Sequence, residues 1–127
     1  MGEEKKKQRA LAVDDYPQVL MLLETELRLL GFEVITATCG KEALDLVESA
    51  EPDIMLLDIS MPGMDGFEVL RRLRTFTQLP VIAMSGNHNS RDDAIRLGAN
   101  DFISKPFNGD DLALKIKAVL KPLRKHT

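Results

Sequence analysis

The 127-residue chain has one cysteine, Cys39, and no apolar run near the roughly 18–20 residues that a bilayer-spanning helix needs. A single cysteine cannot form a disulfide within the chain or build a cysteine-based metal site, which favours a reducing compartment such as the cytoplasm. No apolar segment follows the polar N-terminus, so we expect no secretory signal. The formal net charge is −3, which gives no electrostatic reason to expect nucleic-acid binding.

The composition suits one domain with a single covered core, because 44% of the residues are hydrophobic and 29% are charged. We predict a polar lead at residues 1–8, in which Lys5–Lys7 could form a small basic patch. The domain itself is predicted at 9–123, with a short tail at 124–127.

Short apolar runs alternate with segments of helical period along the domain. Strands are predicted at residues 10–13, 33–37, 53–58, 80–84 and 102–103. The first helical segment carries Leu20, Leu23 and Leu27 at helical spacing, and Gly31 ends it. Five strands alternating with five helices indicate right-handed βαβ units. The predicted fold is therefore α/β, a single doubly wound, five-stranded parallel sheet with helices on both faces.

Notable polar residues stand at the ends of the predicted strands. Asp14-Asp15 follow the first strand, Asp58 ends the third, Ser85 follows the fourth, and Lys105 comes shortly after the fifth. An open α/β sheet binds its ligand outside the carboxyl ends of its strands, at the topological switch point. We therefore expect these side chains to converge on one crevice.

Three clustered carboxylates repel one another and favour a bound cation. Mg²⁺ prefers oxygen ligands, and the absence of His and Cys from the set argues against zinc or copper. A lysine and a serine hydroxyl beside that ion suit the oxygens of a transferred phosphoryl group. Asp58 stands alone at the end of the central strand, so it is the best candidate to accept that group as an acyl phosphate.

Four segments together resemble the receiver domains of response regulators. They are Asp14-Asp15, Asp58 with the following Met61-Pro62-Gly63-Met64-Asp65-Gly66, Ser85-Gly86, and Lys105-Pro106-Phe107. The resemblance covers roughly residues 9–123. Each motif alone is weak, whereas all four in order at strand ends are specific. The family implies a flavodoxin-like (βα)5 fold with strand order 2-1-3-4-5.

The resemblance also implies a metal site. Asp15 would touch Mg²⁺ (or Mn²⁺) directly, and Asp14 would act mainly through water. Asp58 would be both the phosphoacceptor and a metal ligand, and the main-chain carbonyl of Ser60 would complete the protein ligands.

The same resemblance assigns the phosphoryl contacts and a switch. Ser85 and Lys105 would bind the phosphoryl oxygens, and the Lys105-Pro106 peptide would be cis. Phe102 occupies the place of an aromatic residue that rotates inward when Ser85 shifts toward the phosphate.

A family member of this kind implies two partners: a histidine kinase or histidine phosphotransfer protein upstream, and an output protein or fused output domain downstream. The domain would bind neither nucleic acid nor membrane, and it would catalyse only its own phosphorylation and dephosphorylation. Phosphorylation would switch the surface of the fourth helix, fifth strand and fifth helix. Arg96 stands where many dimeric relatives carry an acidic residue, which disfavours their charge-paired dimer.

Other interpretations remain open at this point. Asp14-Asp15 could simply cap the first helix, and Phe102 could be a core aromatic residue with one rotamer. The whole domain could be a phosphorylation-independent interaction module. It could also be a magnesium-dependent phosphohydrolase of the aspartyl-phosphate type, although such enzymes carry a second Asp where this chain has Ser60.

Overall fold

The computed structural model describes residues 7–121 and contains five strands that alternate with five helices. Most of the possible Lys5–Lys7 patch and all of the predicted tail at 124–127 lie outside the described residues. The elements are β1 (Arg9–Val13), α1 (Pro17–Leu29), β2 (Glu33–Ala37), α2 (Gly40–Ala50), β3 (Ile54–Asp58), α3 (Gly66–Leu73), β4 (Val81–Ser85), α4 (Ser90–Arg96), β5 (Asp101–Ser104) and α5 (Gly109–Leu120).

The five strands form one parallel sheet in the order β2-β1-β3-β4-β5, which confirms the predicted fold class. β5 is longer than its two apolar residues predicted. Asp101 pairs with Ile82 at its start and Ser104 pairs with Ser85 at its end. The backbone forms the ladder whatever the side chain, so polar residues at strand ends are missed by a search for apolar runs.

Strand alternation divides the core into two layers, one on each face of the sheet. Leu11 and Val13 of β1 pack into one layer, and Ala10 and Ala12 pack into the other. The inner strands β3 and β4 are buried at every position. This pattern explains why their sequences read as continuous apolar runs rather than as alternating ones.

Helix ends are set by local sequence signals. Pro17 begins α1, and Gly31 follows its end with a φ of 96° that favours glycine. Asp65 caps α3 by accepting a hydrogen bond from the Glu68 N–H at 3.0 Å, and Asn108 caps α5 in the same way. Within residues 7–121, no helix is both long and apolar enough to cross a bilayer.

Candidate functional site

The carboxyl ends of β1, β3, β4 and β5 bring the predicted polar residues to one edge of the sheet. Asp14 directly follows β1, Asp58 ends β3, Ser85 ends β4, and Lys105 directly follows β5. Asp14, Asp58 and Ser85 are all buried. Burying polar groups costs free energy, so three buried polar side chains at one edge of the sheet indicate a functional site.

Three aspartates at this edge of the sheet form a carboxylate cluster. Asp14, Asp15 and Asp58 each offer an oxygen atom, and these atoms lie within 4.8 Å of one another. Asp15 Oδ1 is buried and has no hydrogen-bond partner among residues 7–121. A buried carboxylate oxygen without a partner is costly, so this atom points to a ligand that the protein alone does not provide.

The ammonium of Lys105 links two members of the carboxylate cluster. Its Nζ lies 2.7 Å from Asp14 Oδ2 and 3.3 Å from Asp58 Oδ1. Burial disfavours the charged form of Lys105, but the hydrogen bond to Asp14 and the charges of both aspartates outweigh it, so the lysine pKa is raised. Lys105 therefore stays protonated and positive in the crevice.

The surroundings of the Asp58 carboxyl raise its pKa overall, although some neighbours act in the opposite direction. Burial raises its pKa most, and the neighbouring charge of Asp14 raises it further. Lys105 and the Ser60 N–H, which donates to Asp58 Oδ1 at 3.3 Å, lower the pKa but do not cancel the rise. A carboxylate that is buried among like charges is poorly satisfied, and a cation or a new covalent partner would relieve it.

Oxygen atoms alone make up the candidate ligand set. Asp14, Asp15 and Asp58 supply carboxylates, and no histidine or cysteine of the described part of the chain belongs to the cluster. This donor set and the unpartnered oxygen of Asp15 fit a hard divalent cation such as Mg²⁺ or Mn²⁺. Ser60 lies two residues beyond Asp58, beside the cluster, and ligation by its carbonyl stays a prediction.

Ser85 reaches the edge of the crevice from β4. Its Oγ accepts a hydrogen bond from the Asn87 N–H at 3.0 Å, and its carbonyl accepts one from the Lys105 N–H at 2.9 Å. A serine hydroxyl can accept and donate at once, so Ser85 can also donate to an anion in the crevice.

Gly66 makes the close approach of α3 to the end of β3 possible. A Cβ atom at this position would lie 2.6 Å from Ile59 Cα and 2.7 Å from the Asp58 carbonyl oxygen. Because both contacts are backbone atoms, they cannot move aside without moving Asp58. Gly66, the last residue of the motif that follows Asp58, thus positions the candidate phosphoacceptor.

The predicted switch residue Phe102 lies in the core. It is only 5% exposed and packs in the same layer as Ala83 and Ala94. The side chain therefore occupies an inward position, and its role as a switch stays a prediction. The Lys105-Pro106 peptide is cis, as the resemblance implied.

Sequence analysis missed two contacts near the site. The Tyr16 N–H donates to Asp14 Oδ1 at 2.9 Å, and the hydroxyl of Ser104 lies 2.9 Å from His88 Nδ1. Asp14 followed two residues later by a backbone donor is a common turn pattern that could have suggested the first contact. No local signal predicts the second, because it joins two separate segments of the chain.

Comparison with known families places this arrangement among signalling domains. The family described as "Response regulator receiver domain" matches residues 10–117. A protein called "Probable transcriptional regulator ycf27" from Guillardia theta is 38% identical over 121 residues, which are 94% of this chain and 48% of that protein. The chain thus spans about half the length of the curated relatives it matches.

Solved structures of similar fold agree with this family. The chemotaxis response regulator CheY4 of Vibrio cholerae aligns with a TM-score of 0.85 and 30% identity, covering 91% of this chain and all of that one. The receiver domain of sensor histidine kinase PA1611 from Pseudomonas aeruginosa aligns with a TM-score of 0.82 and 29% identity, covering 89% and 97%. That structure holds a magnesium ion in its active-site cleft.

Proposed function

The chain belongs to the response-regulator receiver-domain family, and on that premise we propose that its function is to accept a phosphoryl group on Asp58. One observation carries the proposal: a buried aspartate lies within a carboxylate cluster and is held by a lysine that also binds a second aspartate. Such an arrangement suits an anionic nucleophile that must meet a second, larger anion.

The transfer itself needs little covalent chemistry from the protein. A carboxylate oxygen of Asp58 attacks the phosphorus of a phosphohistidine donor, the bond from phosphorus to the imidazole nitrogen breaks, and the electron pair returns to that nitrogen. Lys105 and the hydroxyl of Ser85 bind the oxygens of the transferred group. The domain thus supplies positioning and charge, and we class it as a regulatory phosphoacceptor rather than an enzyme with an external substrate.

Asp15, Asp58 and the Ser60 carbonyl would hold Mg²⁺ (or Mn²⁺), and Asp14 would act through water. The bound cation would offset the negative charge of the carboxylates and of the transferred oxygens. The unpartnered Asp15 oxygen supports this assignment, as does the magnesium ion in the cleft of the PA1611 receiver domain.

Phosphorylation replaces the carboxylate of Asp58 with an acyl phosphate, whose phosphoryl group carries about −1.5 to −2 charges and three strong acceptor oxygens. Ser85 and Lys105 can contact phosphoryl oxygens only in the phosphorylated protein. The phosphoryl group therefore shifts an existing equilibrium between two conformations of β4, β5 and the helices that follow them. We propose α4, β5 and α5 as the output surface. Within α4, Arg96 pairs with Asp93. That Arg96 does not serve the charge-paired dimer of many relatives stays a prediction.

The proposed partners are a histidine kinase or histidine phosphotransfer protein as donor and an output protein or fused output domain as target, all in the cytoplasm. A fused output domain is supported by the curated relatives, which are transcriptional regulators about twice as long as this chain.

Mass spectrometry after treatment with acetyl phosphate and Mg²⁺ tests the proposal. The wild-type protein should gain one phosphoryl group at Asp58, and Asp58→Asn should gain none. Asp45→Asn, which changes an exposed aspartate on α2, is the matched control and should be labelled normally. Labelling of Asp58→Asn at the wild-type level would contradict the assignment. A wild-type protein that stays unlabelled would favour the phosphorylation-independent module.

A further inference from the structure

We propose that the hydrogen bond between His88 and Ser104 preorganises the β4–α4 loop, residues 86–89, for binding of the phosphoryl group. His88 is then a positioning residue of the receiver site, an inference that rests on the proposed function. The two side chains meet through His88 Nδ1 and Ser104 Oγ at 2.9 Å. They lie 16 residues apart in sequence, so the contact exists only in the folded sheet.

The two ends of this hydrogen bond adjoin the two proposed phosphoryl contacts. His88 lies three residues after Ser85, and Ser104 directly precedes Lys105. β4 and β5 are already joined there, because Ser85 pairs with Ser104 and its carbonyl accepts from the Lys105 N–H at 2.9 Å. The hydrogen bond between His88 and Ser104 adds a side-chain connection between the loop that follows Ser85 and the end of β5.

The loop has other hydrogen bonds, but these are local. The Asn87 N–H donates to Ser85 Oγ at 3.0 Å, and the Asn89 N–H donates to Asn87 Oδ1 at 2.9 Å. Such bonds shape a turn without fixing its position over the sheet. The contact between His88 and Ser104 is of a different kind because it ties the loop to another strand.

The contact also lies on the face of β5 that buries Phe102. Side chains two residues apart in a strand share a face, so Ser104 projects to the same side as Phe102. Phe102 belongs to one core layer, whereas the intervening Ile103 belongs to the other. The hydrogen bond therefore attaches the loop to β5 two residues after the proposed switch residue, on the same face of the sheet.

A tethered loop should favour phosphoryl binding because less conformational freedom is lost when Ser85 and Lys105 close on the ligand. The hydrogen bond between His88 and Ser104 can also form whether or not Nδ1 of the imidazole carries a proton. Nδ1 donates when it carries a proton and accepts when it does not, and the serine hydroxyl can complement either form.

The test compares four variants of the 127-residue chain. His88→Phe keeps a ring but loses Nδ1 together with the other ring nitrogen, Ser104→Ala removes the hydroxyl, and the double variant makes both changes. His88→Asn places an amide close to the position of Nδ1 and should restore the bond. Each variant is titrated first with Mg²⁺ alone and then, in saturating Mg²⁺, with beryllofluoride as a mimic of the phosphoryl group.

We expect His88→Phe and Ser104→Ala each to weaken beryllofluoride binding about two- to tenfold, as one net hydrogen bond would. The double variant should be no weaker than either single variant, and His88→Asn should bind nearly as the wild type does. Affinity for Mg²⁺ alone should stay unchanged in all four. Amide exchange at Asn87 and Asn89 should quicken in the variants that lack the bond.

Several results would overturn the inference. Equal beryllofluoride affinity in all variants, additive losses in the double variant, or failure of His88→Asn to restore binding would each show that the contact does not position the loop. These outcomes leave the proposed function intact, provided that the wild type binds beryllofluoride with Mg²⁺. If the wild type does not bind it, the proposed function fails first.

Discussion

Replacing the candidate phosphoacceptor by its neutral isostere should make the metal-free protein more stable. Asp58 faces the carboxylates of Asp14 and Asp15, with oxygen atoms within 4.8 Å of one another, and Lys105 Nζ at 3.3 Å. Because 4.8 Å is the upper limit of the carboxylate separations, each repulsion is at least about 3.5 kcal/mol at an effective dielectric constant of about 20, and the attraction across 3.3 Å is about 5 kcal/mol. The two repulsions together exceed the single attraction by at least about 2 kcal/mol, and burial of the charge acts in the same direction.

We therefore expect Asp58→Asn to raise the free energy of unfolding by about 2 kcal/mol, or the Tm by roughly 6–10 °C for a domain of this size. The assay is thermal or urea unfolding followed by circular dichroism in the presence of EDTA. Asp45→Asn is the control, because its side chain is 67% exposed and its removal should change stability by less than about 0.5 kcal/mol.

The pH dependence follows from the raised pKa of Asp58. A group whose pKa is higher in the folded state favours folding below its unfolded pKa, and that contribution is lost as pH rises through the folded value. The ordinary pKa of an aspartate carboxyl, which applies to the unfolded chain, is 3.8. The advantage of Asp58→Asn should therefore be small below about pH 3.8 and grow as the pH is raised.

Added Mg²⁺ should remove most of this difference. A cation at 20 times its dissociation constant stabilises the folded protein by about 1.8 kcal/mol, and Asp58→Asn should gain less because it lacks one carboxylate ligand. An Asp58→Asn protein that is equally or less stable than the wild type in EDTA at neutral pH would refute this reasoning. It would show that Lys105 compensates the carboxylate cluster fully.

Three further substitutions test other parts of the site. Lys105→Gln should slow labelling by acetyl phosphate about 100-fold, since a cation that binds the transferred oxygens is lost; an unchanged rate measured by mass spectrometry would contradict the role of Lys105. Gly66→Ala should lower the free energy of unfolding by about 1–3 kcal/mol, because the new Cβ meets the backbone at the end of β3. Urea unfolding measures this loss, and the control is Gly86→Ala, where a Cβ meets nothing within 4 Å. Asp65→Ala should cost about 0.5–2 kcal/mol through loss of the cap of α3, whereas Asp65→Asn should retain most of the stability in the same assay.

The sequence allowed much of the site to be predicted because each of its members stands at a strand end. Asp58 follows four apolar residues, and Asp14-Asp15 follow another such run, so hydrophobic period alone located both. The rule that parallel strands end at a common edge then grouped residues that are distant in the chain. Strand order and the cis peptide came from the resemblance to a family rather than from any local pattern.

What the sequence determined by itself was local: which segments are strands or helices, which face each apolar residue buries, and which polar residues follow a strand. Only the tertiary structure decided the contacts between segments, such as the distances from Lys105 to Asp14 and Asp58, 91 and 47 residues away. The unpartnered oxygen of Asp15, the burial of Phe102 and the bond between His88 and Ser104 were decided in the same way. The physical reason is that hydrophobic periodicity and secondary-structure propensity act over a few neighbouring residues. The contacts between segments depend instead on strand register and on how the loops pack at the edge of the sheet.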